Sequence, residues 1–489
     1  MRYRTWSLGG LLFGVLLLAG TVWAARHHGP PPKVRPTPTN FTLLATVQLP
    51  NDSKPLTSFD ITWFDPVNEQ VYFADQSNKA VDQINSPKQQ FRPPTFVQFI
   101  NQGKFAGVQS TSDFDANGPD GVITFVTGSD HELWVGDSTA PDGSGNIHGQ
   151  VWSFTIPSSS SSPPTTLFAP VSTDCGPTGV TLLNADPTVF SAVQCPPQPW
   201  ERADEGAYDP KDNLIMIANP HPAAGTAAGK AFGPYVTFID AGTGNILAQM
   251  IFPQATGGLE QSVWDPVSQS FFMNLPQDSD FSTDANGNPV GGVAQITITG
   301  TKPLSATVIA FPTQVPGPPT ANISCEGNGL ALNASVSPEQ LLIGCSAANP
   351  LPTKVGKPGA FSLVMKTDGT PVAAPATGGS DEVWWDEGDD TFYLAEIFAS
   401  FATVPPGVTS TTPALGVIDG SSNGVVTQIG TSFPAHTVAA DSNNDHVFMP
   451  MPSNIMAFDN SAGVDADDKF VCTSGCVVMF GPTRGEAKE

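Results

Sequence analysis

Seven short segments share one grammar: a polar, ligand-type residue, a brief apolar run, then in most a closing acid or amide. They are DITWFD (60–65), DGVITF (120–125), DEGAYD (204–209), EQSVWD (260–265), NGLALN (328–333), DEVWWD (381–386) and HTVAAD (436–441). The first column therefore holds Asp60, Asp120, Asp204, Glu260, Asn328, Asp381 and His436. Five carboxylates, an amide and an imidazole at one equivalent offset could hold a hard cation, since such oxygens are the ligand set of Ca2+. Thiolates are missing from the column and only one imidazole is present, which disfavours zinc or copper. A hard cation held in the column would polarise a bound carbonyl. His436, Asp120 or Asp204 would then serve as base on water. The competing readings are a polar, water-filled channel and an imidazole that simply hydrogen-bonds a neighbouring carboxylate.

For the column to act as one site, its seven residues must converge. From Asp60 to His436 there are six steps, about 63 residues each, longer than the roughly 40–50 of compact propeller blades, so insertions lengthen the loops. Each unit reads as an inner strand, a turn and further short strands: FDITWFDP, then VYFADQS, then AVDQIN in the first; EVWWDEGDDTFYLAEI, ALGVID and GVVTQIG in the sixth. In the seventh, HTVAADSNNDHVFMP is followed by IMAFD as the expected third strand. Asp-Pro closes three inner strands and suits a turn start. Short alternating runs without long 3.6-residue periods indicate an all-β chain. The expected fold is an all-β propeller of seven four-stranded antiparallel blades around a central tunnel. Thr42–Leu49 would complete the last blade and close the ring, and VVMF (477–480) would be an eighth or additional edge strand. Six or eight blades are the alternatives, because the second unit matches least well.

Composition bounds the function. The 489 residues carry 20 Lys and Arg against 45 Asp and Glu, a net charge of −25, which repels phosphate backbones and anionic lipid. Nucleic acid is thereby excluded as a partner. Pro (48) and Gly (47) are abundant, yet 39% of residues are hydrophobic and 30 are Phe, so the chain is loop-rich and not disordered. Residues 1–25 read as a signal peptide: Arg2 and Arg4, an apolar Leu8–Val22, and a small-x-small-like site at Val22–Ala24. Residues 26–41 read as a Pro-rich linker and 42–489 as the propeller. The expectation is a secreted or periplasmic monomer with no membrane span. Six Cys in an exported chain favour disulfides over zinc, paired Cys175–Cys195, Cys325–Cys345 and Cys472–Cys476.

The unit grammar resembles that of secreted YVTN-type propeller repeats, on VYFADQSNKAVDQIN (71–85) and HTVAAD. The column is similar to the calcium site of regucalcin–gluconolactonase-type propeller lactonases. That resemblance rests on Glu260 in EQSVWD, Asn328 in NGLALN and Asp120 in DGVITF, with Asp381 in the same column. It implies Ca2+, held by Glu260, Asn328 and Asp381 with Asp60 of the same column, and hydrolysis of small esters or lactones by polarisation of the carbonyl. The chain departs from the pattern in its seven units, in the order of the three ligands, and in Gln261 and Glu382, which stand where that family has Gly.

Other signals are weaker. Asp113 to Gly118 matches half of a calcium loop, without the Glu that would complete it. His221 sits near the expected mouth. Trp384 and Trp385 read as blade packing, with sugar stacking as the alternative. No G-x-S-x-G elbow, Cys-x-x-Cys-His or G-x-G-x-x-G is present. Because propellers host many functions, a binding module gripping a protein or glycan through the insertions at 101–118, 157–202 and 278–292 is the alternative to the hydrolase.

Overall fold

The computed structural model describes residues 41–482, except 51–53, 89–91, 111–115, 159–161, 199–201, 221–223, 280–289, 300–301, 313–324, 347–360, 397–412, 432–435 and 454–471. The signal peptide, most of the linker, His221, the acidic half of the calcium-loop motif and IMAFD lie outside the described residues.

Seven antiparallel sheets of four strands each form the blades of a propeller, as expected. Blade one is Thr62–Asp65, Gln70–Asp75, Ala80–Asn85 and Thr95–Ile100. The inner strands of blades two to seven begin at Val122, Gly206, Ser262, Glu326, Ser380 and Ala439. The turn after the inner strand explains why the grammar repeats. In six blades the closing residue (Asp65, Asp209, Asp265, Asn333, Asp386 or Asp441) accepts the N–H two residues on. This is an Asx-turn, which competes with strand extension and starts a hairpin. Five of those hairpins then place a non-glycine residue in the left-handed region, at Glu69, Asn213, Gln269, Asp390 and Asp445. Blade two lacks the closing acid and turns on Gly128 instead.

Blade seven corrects one expectation. Its third strand is Cys476–Pro482, which contains VVMF, so VVMF belongs to blade seven; among the described residues there is no eighth unit. This strand pairs on one side with His446–Met451 and on the other with Phe41–Gln48, so the first described strand closes the ring. Register in the closing pair runs from Phe41 opposite Pro482 to Gln48 opposite Cys476. The expected disulfides are all present. Cys175–Cys195 staples the long insertion, whose Thr181–Asn184 adds a parallel fifth strand to blade three along Asn245–Ile251. Three disulfides fit an oxidising compartment. Among the described residues no helix is long and apolar enough to cross a membrane.

The core lies between blades. Met216 and Phe238 of blade three pack against Phe271 and Met273 of blade four, all fully buried. Such contacts hold adjacent sheets face to face and leave the inner strands lining the tunnel.

Candidate functional site at the tunnel mouth

The column residues are structurally equivalent. Asp60, Asp120, Asp204 and Glu260 each donate their backbone N–H to the second strand of their own blade, at Ala74, Gly136, Ala218 and Asn274. Each of those four returns an N–H to the residue after the column. In blades five and six the same place is an irregularity in pairing, between Gly327 and Leu330 and between Ser380 and Val383. One shared backbone device thus places four of the column residues equivalently, and a break in pairing marks the same place in two more blades.

His436 organises one side of this mouth. Its Nε2 lies 2.9 Å from Asp60 Oδ1 and its Nδ1 2.9 Å from Asp381 Oδ2. Asn328 Nδ2 donates to Asp381 Oδ1 at 2.9 Å. Carboxylates only accept, so an imidazole held between two of them donates from both nitrogens and is cationic. Burial alone would lower its pKa; Asp381 first and then Asp60 outweigh that and raise it well above the usual histidine range. Reciprocally, burial would raise Asp381, but the His436 charge and the bonds from His436 and Asn328 hold it low. An imidazolium so clamped donates protons and does not accept them.

The other side is organised by Arg202, which the sequence reading missed. Its Nη2 is 2.6 Å from Asp204 Oδ2. Arg202 stands two residues before the column in extended chain, where i and i+2 share a face, in a protein with few cations; that spacing was the available signal. Asp120 is fully buried and accepts from Gln76 Nε2 at 2.8 Å. Burial first, then Asp60, Asp204 and Asp137, push its carboxyl well above the usual range against the pull of Arg202. Gly121 beside it has no room for a Cβ, since Asp204 O would lie 2.2 Å away; this contact seats blade two against blade three. Glu260 is half-buried and acts electrostatically on Glu205.

One residue deeper, a second layer crosses the tunnel. Gln261 Oε1 accepts from Leu330 N at 2.5 Å and Val383 N at 3.1 Å. Its Nε2 donates to Glu382 Oε2 at 3.1 Å and Val383 O at 3.2 Å. Blade four is thereby tied to blades five and six by a single amide with both ends satisfied. Glu205 of blade three hydrogen-bonds Glu382 of blade six. Burial above all raises both carboxyls well above the usual range, so the pair holds a proton between them. Gln261 and Glu382, two of the departures from the lactonase-like pattern, are what fill the tunnel beneath the ring.

The fit of a Ca2+ ion can be judged from these contacts. Such an ion takes six to eight oxygens. Both oxygens of Asp381 accept from N–H groups, one oxygen of Asp60 does the same, and the His436 ring stands between them. Neighbouring carboxylates ~5 Å apart repel by about 3 kcal/mol at an effective dielectric of ~20; here Arg202 and His436 offset that repulsion from within. Among the described residues, the one group of three acidic side chains with oxygens within 4.8 Å of one another is Asp386, Asp389 and Asp445. It follows the inner strands, at the other end, where Tyr393 donates its hydroxyl to Asp389. A Ca2+ ion at this mouth would therefore have to displace His436 or Asn328 from Asp381.

No protein-family model matches the chain, and no curated protein matches it. Among solved structures, it is similar to a candidate 6-phosphogluconolactonase from Bacteroides uniformis, at TM-score 0.44 and 10% identity over 86% of this chain and 98% of that one. It is also similar to Sqt1 from Chaetomium thermophilum, at TM-score 0.43 and 9% identity over 91% and 98%. The calcium-binding protein regucalcin from Agrobacterium tumefaciens gives TM-score 0.36 and 9% identity over 74% and 86%. At such values these likenesses say nothing of chemistry, and the propeller rests on the chain's own sheet topology.

Proposed function

We propose that the chain is an exported propeller that binds a small polyhydroxy compound, a sugar or sugar lactone, at the carboxylate mouth. The observation that carries this reading is His436 clamped between Asp60 and Asp381. The clamp sets a rigid collar of acceptors around the tunnel, closed below by Gln261 and Glu382. Carboxylate oxygens and Asn328 accept from and donate to hydroxyl groups, and a pre-set collar limits the entropy lost on binding. Export is supported by the three disulfides and the N-terminal sequence.

A second reading is the Ca2+-dependent hydrolase of small esters or lactones, with Glu260, Asn328, Asp381 and Asp60 as ligands. It is favoured by one observation: five carboxylates in the column face two cations. One experiment separates the readings. Metal content of the purified protein is measured by elemental mass spectrometry, with a Ca2+ titration of the chelated form and a calorimetric panel of sugars and lactones. The binding reading expects no stoichiometric metal, an unchanged melting temperature in chelator, and a sugar ligand lost in Asp381→Asn. One Ca2+ per chain, lost in Glu260→Gln together with lactone turnover, would replace it by the hydrolase.

A further inference from the structure

The tunnel has a second mouth, at the closing ends of the same inner strands, and its chemistry is different. A cavity of about 470 Å³ opens there. Its walls include Trp63, Tyr208, Trp264, Trp384 and Trp385, each half-buried, and its depth reaches Gln261. These rings are held by contacts with other rings, two within the wall and two behind it. Trp63 and Trp384 meet edge to face at 5.0 Å, Tyr208 stacks on Phe125 at 3.7 Å, Trp264 packs on Phe271 at 4.7 Å and Trp385 on Phe392 at 4.6 Å. Gly420 makes space for Trp385, since a Cβ there would come within 2.5 Å of the indole. The walls are therefore fixed and leave the space between them open.

The charge of this funnel is one-sided. The single ionisable side chain with a formal charge along its lining is the exposed Glu387; no Lys or Arg lines it. The turn-capping carboxylates Asp65, Asp209, Asp265 and Asp386 end four of the lining strands. Aromatic faces carry negative quadrupole potential, and desolvated cations bind over them, quaternary ammonium groups above all.

We propose that this mouth is a second ligand site, an aromatic funnel that takes a small organic cation of the quaternary ammonium type. The site is independent of the carboxylate mouth, from which Gln261 and Glu382 divide it. The cation's methyl groups fill the apolar volume while its charge faces indole planes and the Glu387 carboxylate. A neutral ligand of equal shape loses the second contribution and keeps the first.

The test is a tryptophan-fluorescence titration of the full chain with choline and with its uncharged isostere 3,3-dimethylbutan-1-ol, at matched ionic strength. Saturable quenching by choline, with the alcohol at least tenfold weaker, is expected. Trp264→Leu should weaken choline tenfold or more. Glu387→Gln, at an exposed position that leaves folding intact, should weaken choline two- to fivefold and leave the alcohol unchanged. Asp381→Asn at the far mouth should leave choline binding as it was. Equal binding of the two probes would reduce the funnel to an apolar pocket and overturn the proposal. So would absence of choline binding in a protein with an unaltered melting curve, or a Glu387→Gln chain that binds choline as before.

Discussion

Both mouths of the tunnel are cut from the inner strands, the aromatic one from those of blades one to six, yet one is lined by carboxylates and the other by indoles. The difference lies in how far along each strand the side chain sits. At the opening offset, backbone pairing is interrupted, and polar side chains there find partners in neighbouring blades: His436 with Asp60 and Asp381, Gln76 with Asp120. Three and four residues later the strands are regularly paired, and large rings lean on other rings, Trp264 and Trp385 within their own blades, Trp63, Trp384 and Tyr208 across blades. Polar groups gather where the backbone is irregular and can be answered; aromatic surface gathers where it is regular and can be braced.

The sharpest way to break the comparison is to remove the frame both mouths share. Deleting Phe41–Gln48 strips blade seven of its outer strand and exposes the edge of Cys476–Pro482. Folded protein should be lost, seen as collapse of the cooperative melt and of ligand binding at both ends. His436→Ala should act at one end alone. It leaves Asp60 and Asp381 facing each other without their cation, at a cost of about 3 kcal/mol, read from the denaturant midpoint, while the funnel still binds choline.

The two ends should also differ in their response to acid. Burial, against the bonds from Ala106, Gln150 and Trp152, raises Asp137 at the carboxylate end to about 7 from 3.8. A carboxyl with a raised folded pKa binds its proton more tightly in the folded state. Its stabilisation is present in full below the unfolded value, near pH 4, and is lost as pH rises through about 7. The three-unit shift is on the order of 4 kcal/mol. Melting temperature should therefore rise as pH falls from 8 to 5, and Asp137→Asn should flatten that rise. A stability maximum at pH 8 would contradict the arrangement.

Gln261→Ala should have a smaller effect. It leaves the N–H groups of Leu330 and Val383 and the Glu382 carboxyl without that amide, at about 2 kcal/mol. Water entering the space should let the two mouths communicate, so that ligand at one end alters affinity at the other. The smallest effect belongs to Glu387→Gln, which should leave stability within ±0.5 kcal/mol and change the funnel's cation preference only.

The blade number and the column were legible because both are local. The closing Asp or Asn caps its own turn within two residues, and the opening residue holds a fixed offset from it. The partners of Gln76 and Gln261 were not legible, because those residues act on groups that the chain reaches only by folding, whereas Arg202 lay two residues from Asp204 and was overlooked. Glu205 and Glu382 each follow a column acid, but their pairing across the tunnel appears only when blades three and six face one another. Trp384 and Trp385 read as packing, and they do pack, on Trp63 and Phe392; that their other faces border a cavity depends on four further strands. The third strand of blade seven was assigned to IMAFD on its pattern. The choice of Cys476–Pro482 is made by register with Phe41–Gln48, a partner at the opposite end of the chain.

That closing pair has a kinetic consequence. Phe41 meets Pro482 and Gln48 meets Cys476, so the ring's last ladder is its most non-local contact, and loop-closure entropy must be met before it forms. A growing chain can complete blades one to six in order, each from nearby residues, but it carries two unpaired edges until the final segment has emerged. Truncation near the C-terminus would therefore leave a nearly complete molecule in its most aggregation-prone form.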